Sequence, residues 1–133
     1  MAKTDEEKEI SKIFKKTKKS LEELNIYRPQ FEQVVKTYAE MKQQYNMLNR
    51  QFYKSGCKIV EEYTNKAGAT NMRKTALYLA METMRKDIIY YENQLGLTPV
   101  AIKKINDAII KSKNDSPLLK VIQQLEGNKK YAK

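Results

Sequence analysis

Apolar residues along this chain recur at intervals of three and four, the spacing that lines one side of an α-helix. Ile10, Ile13, Phe14, Leu21 and Leu24 form the first such stripe. Thr4 and Glu7 precede it at the spacing of a capping box, in which each side chain satisfies a backbone N–H at the other's position. A helix is therefore predicted from about Thr4. Asn25 to Arg28 read as a turn, and Pro29 suits the first position of a new helix. Phe31, Val34, Val35, Tyr38, Met41, Tyr45, Leu48 and Phe52 predict a second helix from about Pro29 to Ser55, with Gly56 as a left-handed C-terminal cap. Roughly 26 helical residues would span ~39 Å, a length that suits a helical hairpin or a position between subunits.

Lys58 to Tyr63 is short and partly β-branched, and a turn-like Asn65-Lys66-Ala67-Gly68 follows it. This predicts an irregular or weakly extended connection, or a small hairpin. The third helix is predicted over about 71–95, closed by Gly96. Its main stripe is Met72, Ala76, Ala80, Met84, Ile88, Tyr91 and Leu95. A second set, Leu77, Tyr78, Met81, Ile89 and Tyr90, widens the apolar face beyond what one partner helix needs. Thr98-Pro99 restarts the chain as cap and first helical residue. A short fourth helix then carries Val100, Ile102, Ile105 and Ile109, with Lys111 to Asp115 polar and mobile. Ser116-Pro117 repeats the start signal ahead of a last amphipathic helix, and Gly127 to Lys133 read as a loose basic tail.

The expected fold is all-α: a helical bundle or long helical hairpin with a short irregular or β-hairpin-like connection, oligomerising through its helices. Three segments are expected. Residues 1–27 are a basic amphipathic helix, 28–97 a central helical hairpin that carries oligomerisation, and 98–133 short helices with a basic tail. The excess apolar surface of the central helices points to contact between copies. Tyr38, Tyr45, Phe52, Leu77, Tyr78, Met81, Ile88 and Tyr91 are the expected contact residues.

Charge narrows the partners. The 133 residues include 26 Lys and Arg against 16 Asp and Glu, a formal net charge of +10. Such an excess favours polyanions, because each neutralised phosphate releases condensed counterions. Lys12, Lys15, Lys16 and Lys19 share one face of the first helix. They can track phosphates without reading bases, or form a solvated face balanced by Glu22 and Glu23. Lys103, Lys104, Lys111 and Lys113, with Lys129, Lys130 and Lys133, form a second basic region. The apolar face of the last helix, at Leu118, Leu119, Ile122 and Leu125, docks on another protein or folds back on its own core.

Candidate chemistry is sparse. The chain has no histidine, which removes the commonest general base and metal ligand. Cys57 is the single cysteine, so no disulfide can form within the chain, in keeping with a reducing cytoplasm. Gly68 to Thr75 resembles a phosphate-binding loop, but Arg73 stands where a second glycine must let the backbone wrap a phosphate. The acidic residues read as solvated surface. No catalytic site, metal or cofactor is expected. No apolar run reaches the ~18–20 residues that span a bilayer, and the polar first residues are no signal peptide, so no membrane partner is expected.

Leu95-Gly96-Leu97-Thr98-Pro99, closing a long helix ahead of a short basic one, resembles the C-terminal signature of a phage terminase small-subunit family. The order of elements before it is similar: a helix to Leu24, Tyr27-Arg28-Pro29 opening a long helix, its end at Ser55-Gly56, then the Ile59-Val60 segment and Gly68 turn. The resemblance implies a non-enzymatic ring of roughly eight to ten copies in the host cytoplasm. Such a ring would recognise viral double-stranded DNA and bring it to the large terminase subunit, which carries the ATPase and nuclease. The alternative is a helical DNA-binding regulator or architectural protein, which would show two short helices joined by a tight turn.

Overall fold

A computed structural model describes residues 2–114 and 117–131, with side chains for all of these but 119 and 128–131. The fold is mostly helical, with one small antiparallel sheet. Helix α1 (Asp5–Glu23) begins with the expected capping box. Thr4 Oγ1 accepts from the Glu7 backbone at 3.2 Å, and Glu7 Oε2 accepts from the Thr4 backbone at 2.9 Å. A single 3-10 turn (Pro29–Phe31) leads into α2 (Glu32–Lys54).

Both helices stop by the same device. Asn25 after α1 and Gly56 after α2 adopt φ of 59° and 81°. The next residues, Ile26 and Cys57, return backbone hydrogen bonds of 3.0 Å to Leu21 and Phe52. This left-handed stop caps carbonyls that the last turn leaves open.

Strands β1 (Val60–Thr64) and β2 (Thr70–Lys74) pair antiparallel, from Val60 opposite Lys74 to Thr64 opposite Thr70. Asn65 shapes the turn: its Oδ1 accepts from the Ala67 and Ala69 backbones, both at 3.0 Å. Helix α3 (Ala76–Leu95) follows. Residues 71–74, expected to open that helix, are instead a strand. Met72 matches the helical spacing, but pairing with β1 satisfies the backbone that a first helical turn would leave open. Thr75 then starts the helix. Its Oγ1 accepts from the Tyr78 backbone at 3.1 Å and donates to the Lys58 carbonyl at 3.2 Å, joining hairpin root to helix cap.

Residues 1–95 and 96–133 are separate compact units. In the first, α2 lies between α1 and α3 and runs antiparallel to both. Glu9 of α1 accepts from Asn46 and Arg50 at the far end of α2. From α2, Tyr38 reaches Glu92, Tyr45 reaches Arg85, and the Phe52 ring lies 6.1 Å from that of Tyr78. Leu21, Val35, Ala39 and Met81 are fully enclosed, with Tyr38 and Ile88 also buried.

The second unit holds α4 (Pro99–Asn114) and α5 (Pro117–Tyr131). The Thr98 hydroxyl caps α4 by accepting from the Ala101 backbone at 3.2 Å. Two expectations are corrected. Lys111 to Asn114 continue α4 rather than forming a mobile link, since nothing in Lys-Ser-Lys-Asn breaks a helix and the two lysines suit its negative C-terminal end. The helical backbone of α5 likewise runs through Gly127 to Tyr131, where a loose tail was expected. Asp115, Ser116, Ala132 and Lys133 lie outside the described residues.

Candidate nucleic-acid interface

Helix α1 has two opposed faces. Thr17 and Leu21 are buried on one. At 100° per residue, Lys8, Lys12, Lys15, Lys16 and Lys19 fall on the opposite side, and all five are exposed. Lys3, Lys8, Ser11, Lys12 and Lys15 line a shallow, open depression along that side.

Partners inside the chain separate these lysines. Lys8 lies 3.4 Å from Asp5. Lys18, off the main row, holds its ammonium 5.0 Å from the centre of the Tyr27 ring. Lys12, Lys15, Lys16 and Lys19 make no ion pair among the described residues. Glu9, on the inner side, is committed to α2. The Asn46 hydrogen bond, with help from Arg50, holds its carboxyl below the usual range. The structure thus turns the α1 acid at position 9 inward and leaves a continuous cationic face outward.

The second set does not share one face. Lys103, Lys104 and Lys111 are exposed on the side of α4 opposite Ile102, Ile105 and Ile109. Asp107 sits among them. Lys113 projects from the other side of the helix, so four expected partners become three with an acid between them. Lys129 and Lys130 belong to α5, and their side chains lie outside the described residues, as does Lys133.

The residues expected to join copies divide between the chain's own core and its partly accessible surface. Tyr38, Met81 and Ile88 are buried in the core. Tyr45, Phe52, Leu77, Tyr78 and Tyr91 are half-buried. Arg85 Nε donates to the Tyr45 hydroxyl at 2.9 Å, and its guanidinium also lies 5.7 Å from the Tyr78 ring centre. The exposed apolar side chains of this unit are different ones, among them Tyr53, Met72, Leu79, Ile89 and Tyr90. On α5, Leu118, Ile122 and Leu125 are exposed on one face, while the Leu119 side chain lies outside the described residues.

The hairpin brings together a group that sequence reasoning misses. Arg73 Nε donates to Glu61 Oε1 at 3.1 Å, and its guanidinium sits 4.1 Å from the centre of the Tyr63 ring. Lys74 Nζ donates to Glu82 at 2.9 Å. The available signal is the turn Asn65 to Gly68 between two five-residue segments of matched length. Gly68 lies in that turn and residues 70–74 in β2, so the stretch resembling a phosphate-binding loop is a hairpin arm. Among the described residues, no cluster of three or more Cys, Asp or Glu can hold a metal ion. No helix among them is long and apolar enough to cross a membrane.

No curated protein and no solved structure matches the chain significantly. A protein-family match does, over residues 11–126, to the family described as "Phage terminase, small subunit". That span runs from the basic face of α1 through the hairpin and α3 into α5, and on it the chain belongs to the phage terminase small-subunit family.

Proposed function

We propose that this chain is a non-catalytic DNA-recognition subunit that assembles with copies of itself and brings viral DNA to the large terminase subunit for packaging. The observation that carries the reading is the outward face of α1: Lys12, Lys15, Lys16 and Lys19 exposed in a row, without ion pairs among the described residues. Four ammonium groups at helical spacing match a polyanion and offer no pattern for reading bases, so their contribution is phosphate contact. A single copy makes few such contacts. Several copies in a ring convert weak contacts into firm binding through effective concentration. Lys103, Lys104 and Lys111 supply further cations. The apolar face of α5 is the proposed contact with the large subunit, in the mode of a helix laid into a groove.

The test is the affinity of the purified protein for a DNA duplex as a function of salt. Counterion release predicts that log K falls linearly with log salt, by about 0.9 per phosphate neutralised. A salt-independent affinity would remove phosphate contact as the basis of recognition.

A further inference from the structure

The two strands of the hairpin carry opposite charge. β1 reads Val-Glu-Glu-Tyr-Thr and β2 reads Thr-Asn-Met-Arg-Lys. Every residue of β2 is exposed, and in β1 only Glu61 is partly covered. Val60 and Met72 are 45% and 62% exposed. A two-stranded ribbon alone is marginal in water. Among the described residues the sheet contains two strands, so each has an outer edge open to pairing, a template for another strand.

We propose that the outer edge of β1 in one copy pairs with the outer edge of β2 in a second copy of this chain. The proposal rests on the oligomeric reading above and names the surface that would serve it. Charge selects the pairing. β1 against β1 would bring four carboxylates together, and β2 against β2 four cations, and like charges across strands are destabilising. β1 against β2 sets Glu61 and Glu62 beside Arg73 and Lys74. The chain already uses this combination internally, with Glu61 opposite Arg73 in the register and bonded to it. Glu62 makes no ion pair among the described residues and lies on the same face of the ribbon as Lys74, one step along the diagonal.

Such a contact uses two different surfaces, so each copy in a pair still offers one free β1 edge and one free β2 edge. That is a head-to-tail interface, which closes into a ring when its rotation allows. A two-fold dimer through the same ribbon would set like strands against each other, which the charge pattern opposes.

The test exchanges the charges of the two strands in the full chain, Glu61→Lys, Glu62→Lys, Arg73→Glu and Lys74→Glu together, with Glu82→Lys added so that position 74 keeps an opposite charge beside it on α3. This variant keeps complementary strands within each copy and between its own copies. It should assemble to the wild-type mass by light scattering. Mixed with tagged wild type, it should enter the same assemblies about tenfold less than random mixing, because each mixed contact sets like strands together. Random co-assembly would overturn the proposal, and so would a variant that folds by circular dichroism yet stays at 15.6 kDa. Both results leave the oligomeric reading standing. A wild type that itself remains at 15.6 kDa would remove that reading and the strand pairing with it.

Discussion

The Tyr38 hydroxyl donates a 2.7 Å hydrogen bond to the Glu92 carboxylate, joining residues 54 apart in the chain. The bond ties the buried side of α2 to the last turns of α3. Lys42 Nζ lies 3.9 Å from the same carboxylate, so Glu92 remains partly compensated if the tyrosine is altered. Tyr38→Phe should therefore cost about 1–2 kcal/mol, the range for a hydrogen bond to a charged partner with some compensation left. Urea unfolding of wild type and variant at neutral pH measures it.

The same pair sets a pH dependence. Burial first, and then the hydrogen bond to Glu92, make the folded Tyr38 hydroxyl hold its proton more tightly than a free tyrosine. The unfolded chain releases that proton near pH 10 while the folded chain keeps it, so stability is lost as pH rises past about 10. The stability gap between wild type and Tyr38→Phe should narrow between neutral pH and about pH 11. A constant gap would show that the hydroxyl does not hold its proton in this way.

Glu9 works in the opposite direction. Its folded carboxyl titrates below the ordinary value of 4.5, chiefly through Asn46. Its contribution is present above the ordinary value and lost as pH falls through the lower, folded one. Thermal unfolding of wild type and Glu9→Gln should differ at neutral pH and converge in acid.

Gly56 isolates a backbone effect. A Cβ at this position would meet nothing within 4 Å, yet φ is +81°. Gly56→Ala should cost about 1 kcal/mol from the left-handed conformation alone. A larger loss in thermal or urea unfolding would mean that the α2–β1 connection itself rearranges.

The α1 lysines make a graded prediction for DNA. Replacing Lys12, Lys15, Lys16 or Lys19 by Gln should weaken binding equally for different duplex sequences. Each replacement should also reduce the steepness of the salt dependence by about 0.9 for every phosphate no longer neutralised. Lys18→Gln should change it least, because that ammonium is engaged over Tyr27. Fluorescence anisotropy on two unrelated duplexes separates this outcome from sequence reading, which would affect one duplex more than the other.

The features legible in the amino-acid sequence are local ones. Thr4, Gly56 and Thr98 mark helix ends because a cap is decided within a few residues, whereas Pro29, expected to open the second helix, opens a 3-10 turn and α2 begins at Glu32. The second hairpin strand escapes such a reading because its stability depends on β1, with Val60 opposite Lys74, while Met72 also fits a helical stripe. The sides of α3 escape it for a related reason. With apolar residues at 77–79, 81, 84 and 88–91, periodicity does not say which side meets α2. The structure turns Met81 and Ile88 inward and leaves Leu79, Ile89 and Tyr90 outside. The lysine face of α1 is legible, whereas its release from internal pairing depends on Glu9 reaching across to Asn46 and Arg50.

The cationic row of α1 also has ends. Asp5, Glu6 and Glu7 precede Lys8, and Glu22 and Glu23 follow Lys19, so the row is bracketed by acids. From Lys8 to Lys19 the helix rises about 17 Å, roughly half of a ~34 Å turn of duplex. On the proposed reading, α1 of each copy would meet only one short stretch of backbone. The footprint on DNA would grow in steps set by the number of copies that reach it, and not by the length of any one helix.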